Sequence, residues 1–135
     1  MFFIKLGSIF GFLSVVIGSL GAHPLENIIQ NKIDIFKTGL HYQMFHSLAL
    51  ILTGIISKIT HKNLTKIGYL FITGIILFSG SLYFIAIFKI STIGIITPIG
   101  GLFFILGWLN LIFKSFKLWG LYEKFIINNI IISKF

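Results

Sequence analysis

The feature that most constrains this chain is the recurrence of long apolar runs. The stretch FFIKLGSIFGFLSVVIGSL holds one charged residue, and three further runs of comparable length follow it. Segments of about 17–25 predominantly apolar residues are typical of transmembrane helices, because the hydrocarbon core of a bilayer is about 30 Å thick. A mean hydropathy of +1.03 argues against a soluble domain, since 135 residues have too much surface to hide that much apolar side chain. We therefore predict an all-α integral membrane protein built as a four-transmembrane-helix bundle.

The predicted spans cover residues 2–20, 42–59, 67–88 and 93–113, and together they form one membrane domain of residues 1–113. The first run could instead be a signal peptide with a short basic start and small residues near its end. Small residues at spacings of four and seven (Gly7, Gly11, Gly18, Ala22) favour a retained helix, because such stripes let helix backbones pack closely in lipid.

Two segments lie outside the spans. GAHPLENIIQNKIDIFKTG has apolar residues at helical spacing beside charged ones, which predicts a short amphipathic helix in the interface between spans 1 and 2; a structured loop is the alternative. Residues 114–135 are basic and carry an apolar patch too short to cross a bilayer. We predict that this tail is cytoplasmic or lies in the interface.

The lysines predict the orientation of the spans. With four spans, eight lysines fall on the side that holds both termini and the loop near residues 57–66, and three fall on the other side. Cytoplasmic loops carry the excess of lysine. We therefore expect a multi-pass protein of the bacterial inner membrane with both termini in the cytoplasm.

Polar residues of all four spans are expected at one depth, in the outer half of the membrane. This predicted polar cluster consists of His23, His41, Tyr42, Gln43, His46, Ser79, Ser81, Tyr83 and Thr97. Small residues and one proline accompany it and are predicted to allow close helix packing or a kink: Gly21, Gly80, Pro98, Gly100 and Gly101.

Two interpretations of this cluster are open. In the first, it supplies hydrogen bonds between helices, with Ser79, Ser81 or a carbonyl freed by Pro98 as the partner of His46. In the second, it is a pocket or a proton pathway in which His46 titrates and Tyr42, Ser79 and Thr97 line the route.

Other chemistry finds little support in the residues. His41 and His46 are five apart, which turns them about 140° from each other on a helix, so we predict no metal site and no cofactor. The chain has no cysteine, and no nucleophile–base–orienter set is recognisable, so we predict no catalytic residues. The net charge of +8 comes from lysines beside apolar runs, which favours anionic lipid head groups over nucleic acid.

Four stretches of the sequence resemble one family of small membrane proteins. They are GSLGAHPL, FKTGLHYQMFHSLAL, GIILFSGSLYFIAI and IGIITPIGGLFFILGW, and the similarity extends over about residues 3–113. The family is the transmembrane-protein-256-like group, also called uncharacterised protein family 382 or domain of unknown function 423. The resemblance implies four helices in a bacterial inner membrane, and it brings no established activity, substrate or cofactor. Its motifs fall on the polar cluster, whereas the tail beyond about Lys117 has no counterpart.

We therefore expect a multi-pass membrane protein that is not an enzyme. Its polar cluster would pack the bundle and engage a lipid or a partner protein, and the alternative is a small transport or proton-pathway component that uses His46. The expected partners are membrane lipids and either a second copy of the chain or another membrane protein, with no nucleic acid.

Overall fold

The computed structural model describes residues 1–132, and these residues are almost entirely helical. The helices are α1 (Phe2–Ala22), α2 (Glu26–Ile29), α3 (Ile33–Thr60), α4 (Thr65–Gly74), α5 (Gly80–Phe88) and α6 (Ile96–Ile132). Single turns of 3₁₀ helix precede α3 (Gln30–Lys32) and α6 (Ser91–Ile95), and a π-helical turn (Ile75–Ser79) joins α4 to α5. Four segments are long and apolar enough to cross a membrane, which confirms the predicted fold class.

Helix α3 packs on α1 through small residues. A Cβ atom added to Gly7 of α1 would lie 2.8 Å from the backbone oxygen of Ser47, and one added to Gly54 of α3 would lie 3.0 Å from the backbone nitrogen of Ile4. These distances are too short for any side chain. Glycine on both helices therefore lets the two backbones come into contact, as small residues do in membrane bundles.

The segment between α1 and α3 contains the short predicted helix. Helix α2 buries Ile29 against Phe36 of α3 and Ala86 of α5, while Glu26 and Asn27 are exposed. Helix α3 then begins at Ile33, so the second half of the predicted amphipathic segment belongs to the helix that carries the second span.

The third span contains the π-helical turn, and α6 packs directly on it. The amide of Gly80 donates to the carbonyl of Ile75, five residues back, which is the hydrogen bond of a π turn. A Cβ atom on Gly100 of α6 would overlap the backbone of Phe78, the nearest contacts including its Cα at 2.7 Å. Gly100 is therefore required for the approach of α6 to this turn.

Helix α6 continues well beyond the predicted fourth span. Its 37 residues correspond to about 55 Å, against about 30 Å of hydrocarbon, so part of it extends past the membrane unless the helix tilts strongly. Residues 114–132 of the predicted tail continue this helix, and residues 133–135 lie outside the described part of the chain. The interfacial position of the tail stays a prediction.

Two ends of the bundle can be distinguished. The Lys58 amine lies 3.9 Å from the sulfur of Met1, so the start of α1 and the end of α3 lie together at what we call the Met1 end. The loop from α3 to α4 (residues 61–64) belongs to this end. Helix α2 and the start of α6 lie at the opposite end, which we call the α2 end.

Candidate functional site

Gln43 connects three helices from a buried position on α3. Its amide nitrogen donates to the backbone carbonyl of Phe10 on α1 at 2.9 Å. Its amide oxygen accepts a hydrogen bond of 2.9 Å from the hydroxyl of Tyr83 on α5. A buried amide that uses both of its ends in this way fixes the relative position of all three helices, because either group left unpaired in hydrocarbon would be costly.

His46 lies one turn further along α3 and faces α6. Its Nδ1 atom is 2.8 Å from the carbonyl oxygen of Tyr42, which can only accept, so Nδ1 carries the proton. Its Nε2 atom accepts a hydrogen bond of 3.1 Å from the indole of Trp108, which can only donate. The two contacts together assign a neutral imidazole in which both ring nitrogens have partners.

Aromatic rings enclose the imidazole. The ring of Phe104 is stacked on that of His46 with centroids 3.5 Å apart and an interplanar angle of 12°. Tyr42 lies 4.4 Å from Phe78 of the π turn, centroid to centroid. These rings occupy part of the space between α3 and α6.

Ser81 and Thr97 form a small group near the π turn. The hydroxyls of Ser81 on α5 and Thr97 on α6 lie 2.7 Å apart, and Ser81 also donates to the carbonyl of Phe78 at 2.8 Å. Ser79 is fully buried, and its hydroxyl has no hydrogen-bond partner among the described residues. The predicted cluster is thus three separate bonded groups rather than one continuous network.

A groove opens between α3 and α6 on the side that faces away from α1. Its volume is about 710 Å³. Helix α3 lines it with His41, Tyr42, Met44, Phe45, His46 and Leu48, helix α6 lines it with Gly101, Phe104, Ile105 and Trp108, and the π turn adds Phe78. The rim is strongly exposed, with Phe45 at 58% and Ile105 at 57% of their surface, so the groove opens sideways at the depth of the spans.

The structure differs from the sequence prediction in several places. His23 at the end of α1 and His41 on α3 are exposed and lie outside the three bonded groups, as does the buried Ser79. His46 bonds to Tyr42 and Trp108 instead of Ser79, Ser81 or a carbonyl near Pro98. Pro98 lies in the first turn of α6, where a missing amide proton breaks no hydrogen bond, and α6 continues without interruption. A Cβ atom on Gly80 would meet nothing within 4 Å, so Gly80 makes no close packing contact in the described chain.

The other predicted packing positions are at contacts. Gly21 lies against the ring of Phe36, and Gly101 is 3.7 Å from the ring of Phe78, measured from an added Cβ atom. The sequence prediction missed Trp108, which bonds to His46 and lines the groove. A tryptophan inside an apolar span needs a partner for its indole N–H, and this requirement is the signal that would have pointed to a buried acceptor such as His46.

Among residues 1–132, no three side chains of His, Cys, Asp or Glu come together in a way that could hold a metal ion. The three histidines other than His46 are all exposed. The lining of the groove is mainly aromatic and aliphatic, and it includes the exposed imidazole of His41.

These features define a small multi-pass membrane protein with four apolar helices, an internal set of hydrogen bonds and a lateral groove. Residues 17–101 match the family described as protein of unknown function DUF423. A UPF0382 membrane protein of Staphylococcus haemolyticus is 45% identical over 119 residues, which cover 87% of this chain and 98% of that protein. The UPF0382 membrane protein YwdK of Bacillus subtilis is 40% identical over 118 residues, 85% of this chain and 96% of that protein. The chain belongs to the DUF423 family, as its motifs indicated, and no solved structure matches it.

Proposed function

We propose that this protein is a non-enzymatic lipid-binding protein of the bacterial inner membrane, and that the groove between α3 and α6 holds a lipid acyl chain. The observation that carries this proposal is the satisfied His46–Trp108 pair. Because the imidazole and the indole bond to each other, the inner wall of the groove offers a ligand mainly carbon surface. Concave sites with mainly apolar walls select apolar ligands.

The position of the groove favours an acyl chain over a soluble ligand. Its exposed rim residues belong to the two spans on either side, so in a bilayer they face hydrocarbon. Space that opens sideways there is accessible to the surrounding lipid tails, and filling it restores the van der Waals contacts that an empty groove lacks.

The hydrogen bonds support a packing role for the polar cluster in this function. Gln43 and His46 use the polar atoms of their side chains in bonds within the chain. A catalytic or proton-carrying His46 would have to break one of two bonds at each transfer, and Ser79, a predicted lining residue of the proton route, is fully buried. These contacts favour a structural role over transport or hydrolysis.

The proposal includes an orientation with both termini in the cytoplasm, supported by the lysine bias. Because the chain has no cysteine, single cysteines at Ser57 and Ser91 can be labelled in intact cells with an impermeant maleimide. Ser91 should be labelled from outside and Ser57 should not. The reverse pattern would contradict this orientation.

Fluorescence quenching tests the groove itself. The chain has two tryptophans, so Trp119→Phe leaves Trp108 as the single tryptophan, which can be excited selectively at wavelengths where tyrosine does not absorb. In vesicles of phospholipids brominated along their acyl chains, Trp108 should be strongly quenched, and Gly101→Leu, which fills the groove beside Phe78, should reduce that quenching.

Two results would contradict the groove proposal. Quenching that Gly101→Leu leaves unchanged would mean that bromine reaches Trp108 without entering the groove. Protection of Trp108 in both proteins would mean that another polypeptide covers the groove. The proposal also states that the protein does not transport protons. It would be overturned if the proton flux into proteoliposomes exceeded that into empty vesicles and if His46→Ala abolished the difference.

A further inference from the structure

A second, smaller cavity lies nearer the Met1 end of the bundle, and we call it the slot. Its volume is about 310 Å³, and it is lined by Ile56, Leu64, Trp108, Leu111, Ile112, Lys114 and Ser115. Trp108 separates it from the groove, since this side chain lines both. The slot therefore involves the end of α3, the following loop and the middle of α6, and it shares no other residue with the proposed acyl-chain site.

The composition of the slot changes along its length. Aliphatic side chains and the indole line it at the depth of the span, while Lys114 and Ser115 directly follow Phe113, where the first lysine interrupts the apolar run of α6. Lysine at the end of a span reaches the level of the lipid head groups. An apolar cavity that ends in an ammonium group at this level is complementary to a phospholipid, because the acyl chain would lie inside the cavity and the head group at its mouth.

Lys114 is the one charged residue that lines the slot, and two further lysines flank a wall residue in the sequence. Leu64, which is only 1% exposed and forms one wall, stands between Lys62 and Lys66, and both of these lysines are exposed as Lys114 is. Two of the three carboxylates of the chain, Glu26 and Asp34, belong to the α2 end. The third, Glu123, is nine residues beyond Lys114 on α6, or about 13 Å along the helix.

A lipid fits these charges better than a second copy of the chain does. A two-fold contact through the slot would bring Lys114 of one copy towards Lys114 of the other, with no carboxylate at this level to compensate. An anionic head group would instead meet the Lys114 ammonium at the mouth, and each lysine near the membrane surface attracts anionic lipid.

We propose that the slot is a binding site for an anionic phospholipid, with an acyl chain against Ile56, Leu111 and Ile112 and the head-group phosphate at the Lys114 ammonium. The site lies in the leaflet at the Met1 end, and it goes beyond the acyl-chain groove of the proposed function. Occupation of the slot would attach the middle of α6 to the loop between α3 and α4.

Lipid retention measured by native mass spectrometry tests this site. The full-length protein in detergent is titrated with dioleoyl phosphatidylglycerol or with dioleoyl phosphatidylcholine, and the apparent affinity for the first bound lipid is compared. Phosphatidylglycerol should bind more tightly to the wild-type protein. Lys114→Gln should weaken phosphatidylglycerol binding by about five-fold, while Lys58→Gln, which removes the same charge at the same end but outside the slot, should change it by less than about two-fold.

A second pair of variants tests the apolar part of the slot. Ile112→Phe narrows the slot and should weaken phosphatidylglycerol binding, whereas Ile59→Phe adds the same volume at an exposed position of α3 and should not. Gly101→Leu, which fills the groove, should leave this binding unchanged. The proposal for the slot and the proposal for the groove can therefore be contradicted independently of each other.

Three results would overturn the proposal. Equal losses in Lys114→Gln and Lys58→Gln would show diffuse attraction by the basic end. Equal affinity of the wild-type protein for the two lipids would show that head-group charge is not recognised. A dimer that forms without lipid and excludes phosphatidylglycerol would show that a second copy covers the slot.

Discussion

The two sides of α3 are built in opposite ways. Towards α1, glycines lie against backbone atoms, as Gly7 does against Ser47 and Gly54 against Ile4, and the two helices are in continuous contact. Towards α6, large aromatic side chains replace the glycines, and a groove of about 710 Å³ remains. We call the side of α3 that faces α1 the closed side and the side that faces α6 the open side.

The difference shows how side-chain size decides whether two membrane helices exclude lipid. In a bilayer, helices associate mainly through van der Waals packing and polar contacts, because lipid tails are as apolar as leucine. Small residues let backbones touch and leave no room for a ligand. Aromatic rings such as Phe104 and Trp108 keep the helices apart, and the space beside them is where a lipid tail can enter.

The hydrogen bonds of α3 also differ between its two sides. Gln43, on the closed side, bonds to the backbone of α1 and to Tyr83, so it adds to a contact that packing already fixes. His46, on the open side, bonds across a space to Trp108. The four predictions below test this comparison, from the largest expected effect to the smallest.

The largest effect is expected at Gly100, which holds α6 against the π turn at the edge of the groove. In Gly100→Ala the new Cβ atom would overlap the backbone of Phe78, so α6 must move away from the third span. Overpacking of this kind typically costs about 1–3 kcal/mol. Thermal unfolding in detergent micelles should show a clear fall in Tm.

The neighbouring glycine is the control. In Gly101→Ala the new Cβ atom would lie at an ordinary contact distance of 3.7 Å from the ring of Phe78, and alanine favours a helix by about 1 kcal/mol over glycine. Its Tm should be equal to or above that of the wild type. Equal falls in the two variants would mean that the close contact between α6 and the π turn does not set the position of α6.

The next effect is expected at Gln43. Gln43→Leu keeps most of the volume but leaves the hydroxyl of Tyr83 buried without its acceptor, which should cost about 1–3 kcal/mol in unfolding free energy. Adding Tyr83→Phe removes the unpaired group and should recover part of the loss. If the double variant is as unstable as the sum of the two single variants, the bond between these residues contributes nothing to the closed side.

The fold was predictable from the sequence because each span carries its signal locally. Apolar length gives the number of spans, and the glycines at positions 7, 11 and 18 indicated the face of α1 that packs on another helix. The π turn was not predictable in this way. It depends on the approach of Gly100 to Phe78, a contact between residues in different spans.

The candidate site was predicted in part. Topology placed Gln43 and Tyr83 at one depth, and likewise Ser81 and Thr97, and these pairs are bonded in the structure. Depth alone does not say which way a side chain points around its helix. This is why the partner of His46 is Trp108, and why the residues divide into separate groups on different sides of α3.

Trp108→Phe tests the open side with a smaller expected effect. The change keeps an aromatic ring in place but removes the donor to His46 Nε2, and the loss should be about 0.5–1.5 kcal/mol. A double-mutant cycle with His46→Phe isolates the pair, and a coupling of about 0.6 kcal/mol is the average for such bonds in a membrane protein. Zero coupling would show that the aromatic contacts alone close the inner wall of the groove.

The smallest loss of unfolding free energy is expected at the hydrogen bond between Ser81 and Thr97. Comparing the two single substitutions shows which hydroxyl is the donor. The carbonyl of Phe78 can only accept, so Ser81 donates to it and Thr97 donates to Ser81. Thr97→Val therefore removes one bond and leaves Ser81 satisfied, which should cost about 0.6 kcal/mol or less in unfolding free energy.

Ser81→Ala, in contrast, removes both bonds and leaves the threonine hydroxyl without its acceptor, so its unfolding free energy should fall further. Chemical unfolding in mixed micelles measures both variants against the wild type. If Thr97→Val is the more damaging of the two, the direction of donation is reversed. Ser81 would then donate to Thr97, and the serine hydroxyl would depend on the threonine as its acceptor.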